Sequence, residues 1–116
     1  PRRQFLEKFN RSKIVILLPN KSEGFFLPAL EAMALGALVV CPDCIGNRSF
    51  CIDGSTCLMP DYAVPDIVQA AVTCFSLAAS DRQRLLNESR QTVFRHGLFR
   101  EHTEFLKIMN NLDNIW

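Results

Sequence analysis

Two glutamates, Glu23 and Glu31, frame a segment whose residue types suit the binding of an anion. Residues 24–27 directly precede Pro28, and proline suits the first turn of a helix because its missing N–H would have no partner there. The backbone amides at such a helix start, together with the helix dipole, form a binding position for phosphate. Because no side chain at positions 26 and 27 can accept a hydrogen bond, we expect these amides to remain available to a ligand.

Two apolar runs, residues 14–18 and 38–41, must position this segment. Both are continuous stretches without polar alternation, a pattern typical of buried parallel strands. Between them, residues 28–35 are good helix formers, and Gly36 suits the left-handed position that follows a helix. The order strand, helix, strand predicts a βαβ unit. The segment that starts at Glu23 then follows the carboxyl end of the first strand, where open α/β sheets bind their ligands.

The other predicted elements are mainly helical. Apolar residues at helical spacing predict helices over 2–11, 64–79, 80–96 and from Thr103 onward, and a short strand is expected at 57–59. We expect Ser80 and Asp81 to cap the helix over 80–96 and Gly97 to end it. Two strong strands are too few for a complete sheet. The predicted fold class is therefore α/β, a partial Rossmann-like domain with a short parallel sheet and C-terminal helices, and residues 1–116 form one domain.

Length and composition describe one globular domain. The chain has 116 residues, with 13 Lys and Arg against 12 Asp and Glu, and its net charge of +1 argues against nucleic acid as a partner. The longest apolar run, over 32–41, is far shorter than the roughly 20 residues of a membrane span. The chain opens on Pro1 without a signal sequence, so we expect a cytoplasmic protein and a piece of a longer one. Peripheral membrane association is expected only through regions outside it.

The five cysteines, at positions 41, 44, 51, 57 and 74, lie mostly in apolar segments and are odd in number. This usage is typical of reduced intracellular thiols that pack as small hydrophobic residues. The first four could form a four-thiolate zinc site. Structural zinc sites, however, usually have two pairs of ligands that are closely spaced in the sequence, and here only Cys41 and Cys44 form such a pair. A redox pair is disfavoured because Pro42 and Asp43 follow a strand. We expect free thiols and no metal.

A longer motif covers the segment between the glutamates. Residues 23–36, EGFFLPALEAMALG, resemble the E-x7-E signature of the retaining GT-B-fold glycosyltransferases of the group 1 family (glycosyltransferase family 4), whose usual form is close to EGFGLPxLEAMAxGxPVV. The similarity continues more loosely through residues 45–60, IGNRSFCIDGSTCLMP, and 96–109, HGLFREHTEFLKIM, and covers about 100 of the 116 residues. The chain thus resembles the C-terminal, donor-binding part of such an enzyme.

The resemblance implies a task for each residue of the motif. Glu23 would be catalytic through its contact with the hydroxyls of the donor sugar, and Glu31 would hold the ribose hydroxyls. Backbone amides would be offered to the sugar and diphosphate by Gly24, Phe25, Phe26 and Leu27. The implied reaction transfers a sugar from a nucleotide diphosphate sugar to an acceptor, with retention and without a metal ion or cofactor. The acceptor domain would lie upstream, so the chain alone is expected to be inactive.

Several positions depart from the family pattern. Phe26 replaces the second glycine, which crowds the approach of a sugar to the backbone. Ser49 stands where glutamate is frequent, Cys57 where glycine is, and Leu38 where proline is. Of the tandem Phe25 and Phe26, we expect one ring in the core and one near the site. The donor base, the sugar and the acceptor remain unassigned.

Alternative interpretations of these residues stay open. The helix dipole alone would favour Glu31 in a first helical turn. His96 and His102 suit surface or helix-end positions better than general bases, and Arg48 suits a solvated loop better than a phosphate site. The functional alternative is a non-enzymatic Rossmann-like module that binds a nucleotide or a protein. A sugar-nucleotide epimerase would typically lack the motif, and a receiver domain would need an acidic pair after its first strand.

Overall fold

The computed structural model describes residues 2–96, which form a two-stranded parallel sheet between helices. In chain order the elements are α1 (Arg2–Arg11), β1 (Ile14–Ile16), α2 (Leu27–Ala34), β2 (Leu38–Val40), a single 3-10 turn (Ile45–Asn47), α3 (Val64–Ser76) and α4 (Ala79–Arg95). The predicted α/β class, with its short parallel sheet and following helices, is confirmed. The predicted helix from Thr103, the stop at Gly97 and the assignment of His102 lie outside the described residues. None of the described helices is both long enough and apolar enough to cross a lipid bilayer.

The sheet is built from backbone hydrogen bonds around β2. β1 pairs with it in parallel, with Ile14 opposite Leu38. On its other side, the Leu58 N–H donates to the Val39 carbonyl (3.0 Å), and the Leu58 carbonyl accepts the N–H of Cys41 (2.9 Å). The strand predicted over 57–59 is therefore reduced to isolated bridges, from Leu58 to Val40 and from Cys57 to Asp53.

Side chains of the two strands pack into two separate hydrophobic cores. One face packs on α1, α2 and the end of α4, through buried residues that include Phe9, Val15, Leu30, Met33, Val39, Phe50 and Val93. The other face packs on α3 and the beginning of α4, through Leu38, Val40, Cys74 and Leu85. Successive side chains of a strand point to opposite faces, which explains why neighbours on β2 serve different cores. Because α4 contributes to both, it ties the two layers together.

The end of α2 follows the predicted glycine signal. Gly36 has a φ of +83°, a left-handed conformation that costs glycine little. The Gly36 N–H donates to the Met33 carbonyl and the Ala37 N–H to the Ala32 carbonyl, each at 3.1 Å, which forms a Schellman motif. This ending delivers the chain directly into β2.

The boundary between α3 and α4 differs from the prediction. The helices end and begin at Ser76 and Ala79, because Leu77 and Ala78 take extended conformations with ψ of 137° and 151°. Leu77 packs against the second core, which holds the break at this position. The prediction that Ser80 and Asp81 cap α4 is wrong, since Ala78 occupies the N-cap and makes no side-chain hydrogen bond there.

Candidate functional site

The carboxyl ends of β1 and β2 lead into two loops that lie side by side. The first loop (residues 17–26) connects β1 to α2, and the second loop (residues 41–52) follows β2. Two backbone hydrogen bonds join them, from the Ile45 N–H to the Lys21 carbonyl (3.2 Å) and from the Phe26 N–H to the Gly46 carbonyl (3.1 Å). The candidate site therefore lies at the edge where parallel sheets present their ligand crevices.

The two loops approach each other very closely at Gly46. A Cβ atom at this position would overlap the Gly24 carbonyl and lie 2.8 Å from the carbonyl oxygen of Glu23, so only glycine fits. A Cβ atom at Gly24 itself would meet nothing within 4 Å, and its φ is not positive. Neither packing nor backbone conformation requires glycine at position 24. Its small size leaves room for a ligand to approach the backbone of the first loop.

The backbone amides ahead of α2 divide into two sets. The Phe26 N–H is taken by the second loop, and the Leu27 N–H donates to the Phe25 carbonyl at 3.1 Å. The prediction that these two amides are free is therefore wrong, because tertiary contacts satisfy them. Within residues 2–96, the amides of Gly24 and Phe25 have no acceptor. These two donors are the part of the predicted anion site that the structure leaves available.

The two glutamates of the motif occupy different environments. Glu23 is partly exposed in the first loop, where its N–H closes a turn onto the Asn20 carbonyl (3.0 Å). Glu31 is only 2% exposed, within the buried run at residues 29–33 of α2. It is the fifth residue of that helix, so its placement in the first turn was wrong, and the helix dipole does not account for it. The binding roles of both carboxylates stay predictions.

The tandem phenylalanines differ in burial, and the prediction that one of them lies near a ligand stays a prediction. Phe25 is 62% exposed and meets the Phe50 ring edge-on, with centroids 5.5 Å apart. Phe26 is partly buried and packs against the core on the α2 side of the sheet. Phe25 thus supplies an apolar wall next to the free amides.

Asn47 organises the second loop from a fully buried position. Its Oδ1 accepts the Cys44 N–H (3.1 Å), and its Nδ2 donates to the Pro42 carbonyl (2.9 Å) and to Cys41 Sγ (3.4 Å). An amide side chain carries both the acceptor and the donors that this arrangement needs. Sequence reasoning missed Asn47, since the Pro, Asp, Gly and Asn residues around it indicated only a loop.

Two further contacts hold the outer part of the second loop. Arg48 donates twice to Asp43, from Nε (3.0 Å) and Nη2 (2.9 Å), and this contact holds the pKa of the Asp43 carboxyl below its usual value. At the end of α4, His96 Nε2 donates to the Ser49 carbonyl (3.0 Å), and its ring meets Phe50 edge-on. Arg48 is a solvated loop cation and His96 a helix-end residue, as predicted.

All five cysteines are free thiols in the interior. Hydrogen bonds with Cys41 and Cys57 raise the pKa of Cys51, and burial raises the pKa of Cys44 and of Cys74. Over the described residues, no group of His, Cys, Asp and Glu side chains is arranged to hold a metal ion.

We expect slow thiol labelling in the folded protein. The thiolate is the reactive form, and burial of all five thiols limits the access of reagent. The raised pKa of Cys44, Cys51 and Cys74 also reduces their thiolate population, whereas a hydrogen bond from Cys51 lowers the pKa of Cys41, so that burial alone protects this thiol. A chromogenic disulfide reagent at neutral pH should react slowly with native protein and with all five thiols after denaturation without reductant. A denatured sample treated with reductant is the control and should give the same count. A lower count without reductant would contradict free thiols, and rapid native labelling would contradict their burial.

Comparison with protein families adds a match over the region just described. The family model for "Glycosyl transferases group 1" matches residues 3–76, which is more than half of the 116-residue chain. The matched range contains both strands, α2 and the two loops. A search of the curated proteins finds no match to the chain.

Proposed function

The chain belongs to the group 1 glycosyl transferase family, and we propose that it is the donor-binding region of a retaining GT-B-fold glycosyltransferase. In this proposal it binds a nucleotide diphosphate sugar. The observation that supports it best is the pair of free amides at Gly24 and Phe25, which directly follow Glu23 in the sequence and lie beside the open space at Gly24.

Each part of the first loop has a chemical task in this proposal. The amides of Gly24 and Phe25 donate to the diphosphate, whose charge the amino end of α2 also stabilises. The Glu23 carboxylate accepts hydrogen bonds from the hydroxyls of the sugar. Phe26 and Leu27 offer the donor no amide, since both amides have partners in the protein, and the Phe26 side chain packs against the core. Because the helix supplies positive potential at the diphosphate, the proposal calls for no bound metal ion.

Glu31 has a more demanding task than the other residues. We propose that its carboxylate accepts the ribose hydroxyls of the nucleotide. Since Glu31 is buried, it reaches a ribose only if the side chains that cover it move when the nucleotide binds. Nucleotide binding is therefore expected to be accompanied by a rearrangement around the first turns of α2.

In this proposal the transfer step proceeds with retention, as the resemblance to the family implies. The acceptor hydroxyl attacks the anomeric carbon on the face from which the diphosphate leaves, and its proton passes to the departing phosphate oxygen as the carbon–oxygen bond breaks. Glu23 contributes through hydrogen bonds that strengthen while positive charge develops on the sugar. An N-terminal domain supplies the acceptor site, so residues 1–116 alone are expected to bind the donor without turning it over.

A calorimetric titration of the chain tests this function. Uridine, guanosine and adenosine diphosphates and their hexose conjugates are titrated in turn, and at least one nucleotide is expected to bind. Binding of none of them, by protein that is folded by circular dichroism, would favour the alternative of a module that binds another protein.

Two isosteric variants then separate the tasks of the glutamates. Glu31→Gln is expected to weaken the nucleoside diphosphate and its sugar conjugate alike, by about tenfold, because each contact is with the ribose. Glu23→Gln is expected to leave the nucleoside diphosphate unchanged and to weaken only the sugar conjugate. Glu88→Gln, on α4, is the matched control and should change neither affinity. If Glu23→Gln weakened the nucleoside diphosphate as much as Glu31→Gln does, the assignment of roles would be wrong.

A further inference from the structure

A cavity opens at the same edge of the sheet as the first loop. It has a volume of about 290 Å³ and lies between the two loops and the segment that leads into α3. Its walls include Lys21, Asp43, Arg48, Met59, Asp61 and Tyr62. The volume is close to the lower end of the range of about 300–1,000 Å³ for small-molecule sites. None of the residues assigned to the donor lines this cavity.

Hydrogen bonds hold two walls of the cavity in place. The Met59 N–H donates to Asp53 Oδ1 (2.9 Å), which ties the start of the segment with Asp61 and Tyr62 to the preceding turn. Within the segment, the Ala63 N–H closes a tight turn by donating to the Asp61 carbonyl (2.7 Å). On the opposite side, the Lys21 carbonyl accepts a hydrogen bond from the second loop. A cavity with anchored walls loses little conformational freedom when it binds a ligand.

The charges of the cavity favour a neutral ligand. Two cations, Lys21 and Arg48, stand against two anions, Asp43 and Asp61, so the lining carries no net charge. The Arg48 guanidinium is already engaged by the Asp43 carboxylate through two hydrogen bonds. A phosphate at this position would face both carboxylates, and a cationic ligand would face Lys21.

The chemistry of the lining matches a polyhydroxylated ring. Carboxylates accept and ammonium groups donate hydrogen bonds, which are the two kinds of partner that a sugar hydroxyl uses. Tyr62 is 47% exposed and presents a flat apolar ring with a hydroxyl at its tip. Met59 extends this apolar surface. A pyranose combines hydroxyl groups at its edge with C–H groups on its faces, and this wall offers partners for both.

We propose that this cavity binds a neutral saccharide, which would be the acceptor of the reaction. The identification as acceptor rests on the proposed function, whereas the saccharide site itself does not. Lys21 is two residues from Glu23 on the same loop, so the cavity adjoins the position assigned to the donor sugar. The donor-binding region then contributes directly to acceptor recognition, alongside the N-terminal domain.

Nuclear magnetic resonance of the isotopically labelled 116-residue chain tests the proposal. The methyl glycosides of glucose, galactose, mannose and N-acetylglucosamine are titrated one at a time. At least one is expected to shift the amide signals of Lys21, Asp61 and Tyr62 in a saturable way, with a dissociation constant in the millimolar range. Tyr62→Ala should weaken that binding at least about tenfold, and Tyr62→Phe should retain most of it. Phe75→Ala, an exposed aromatic in a different cavity, is the control and should bind as the unaltered chain does.

Parallel titrations with glycosides, inorganic phosphate and a nucleoside diphosphate distinguish the ways in which the proposal could fail. It is overturned if no glycoside shifts these signals, or if inorganic phosphate shifts them and the glycosides do not. A nucleoside diphosphate, titrated in parallel, should instead shift the signals of Gly24 and Phe25. If the nucleotide binds there while no glycoside binds, the proposed function stands and the saccharide site is wrong. If a glycoside binds and no nucleotide does, the saccharide site stands and the proposed function fails.

Discussion

Replacing Gly46 by alanine is expected to lower the free energy of unfolding by about 3 kcal/mol, because the new Cβ atom has no room beside the Gly24 carbonyl. The obstructing atoms belong to the backbone, which cannot rotate away as a flexible side chain would. The first loop must shift, and the hydrogen bond from the Phe26 N–H to the Gly46 carbonyl is lost with it. Urea unfolding followed by circular dichroism measures the effect.

Gly24→Ala is the matched control for this prediction. It introduces the same Cβ atom into open space, so the unfolding free energy should change by no more than about 0.5 kcal/mol. The same variant should weaken nucleotide binding if a ligand uses the space over Gly24. Equal destabilisation by both alanines, or a Gly46→Ala protein as stable as the unaltered chain, would contradict the close approach of the loops.

Replacing Asn47 by alanine is expected to cost about 3 kcal/mol of stability as well, for a different reason. The substitution leaves the buried Cys44 N–H and the Pro42 carbonyl without the partners that the side chain provides. A buried polar group that loses its partner costs roughly 1–3 kcal/mol, and two are affected here. Asn47→Asp should be no better tolerated, because a carboxylate cannot donate to the Pro42 carbonyl or to Cys41 Sγ.

The neighbouring Arg48→Ala serves as the control for Asn47. It also removes two side-chain hydrogen bonds from the second loop, but these are exposed to water. The urea midpoint should therefore stay close to that of the unaltered protein. If Arg48→Ala were as damaging as Asn47→Ala, burial of the hydrogen bonds would not be what makes Asn47 important.

The elements that position the site could be predicted because their signals are local. The continuous apolar runs identify β1 and β2, and Pro28 and Gly36 mark the ends of α2 closely. These features place the segment from Glu23 at the carboxyl edge of the sheet without any knowledge of tertiary contacts.

The finer properties of the site depend on contacts between segments that are distant in sequence. Whether the Phe26 amide is free depends on the approach of Gly46 from the second loop. The importance of Asn47 arises from three partners that only the folded loop brings together. The exact position of the break, at Leu77 and Ala78, reflects the packing of Leu77 against the sheet, whereas Ser80 and Asp81 indicate a boundary slightly later in the sequence. Propensity and periodicity carry no information about such contacts.

The hydrogen bonds that join the two loops are made by main-chain atoms, and the contact between the Phe25 and Phe50 rings adds a side-chain link. These hydrogen bonds use the carbonyls of Lys21 and Gly46 and the amides of Ile45 and Phe26. Main-chain groups are the same whichever side chain is attached, so the side chains at positions 21 and 45, both exposed, can be exchanged without breaking these hydrogen bonds. Randomising these two positions, while keeping Phe25, Gly46 and Asn47, is therefore a route to variants with altered ligand preference on an unchanged scaffold.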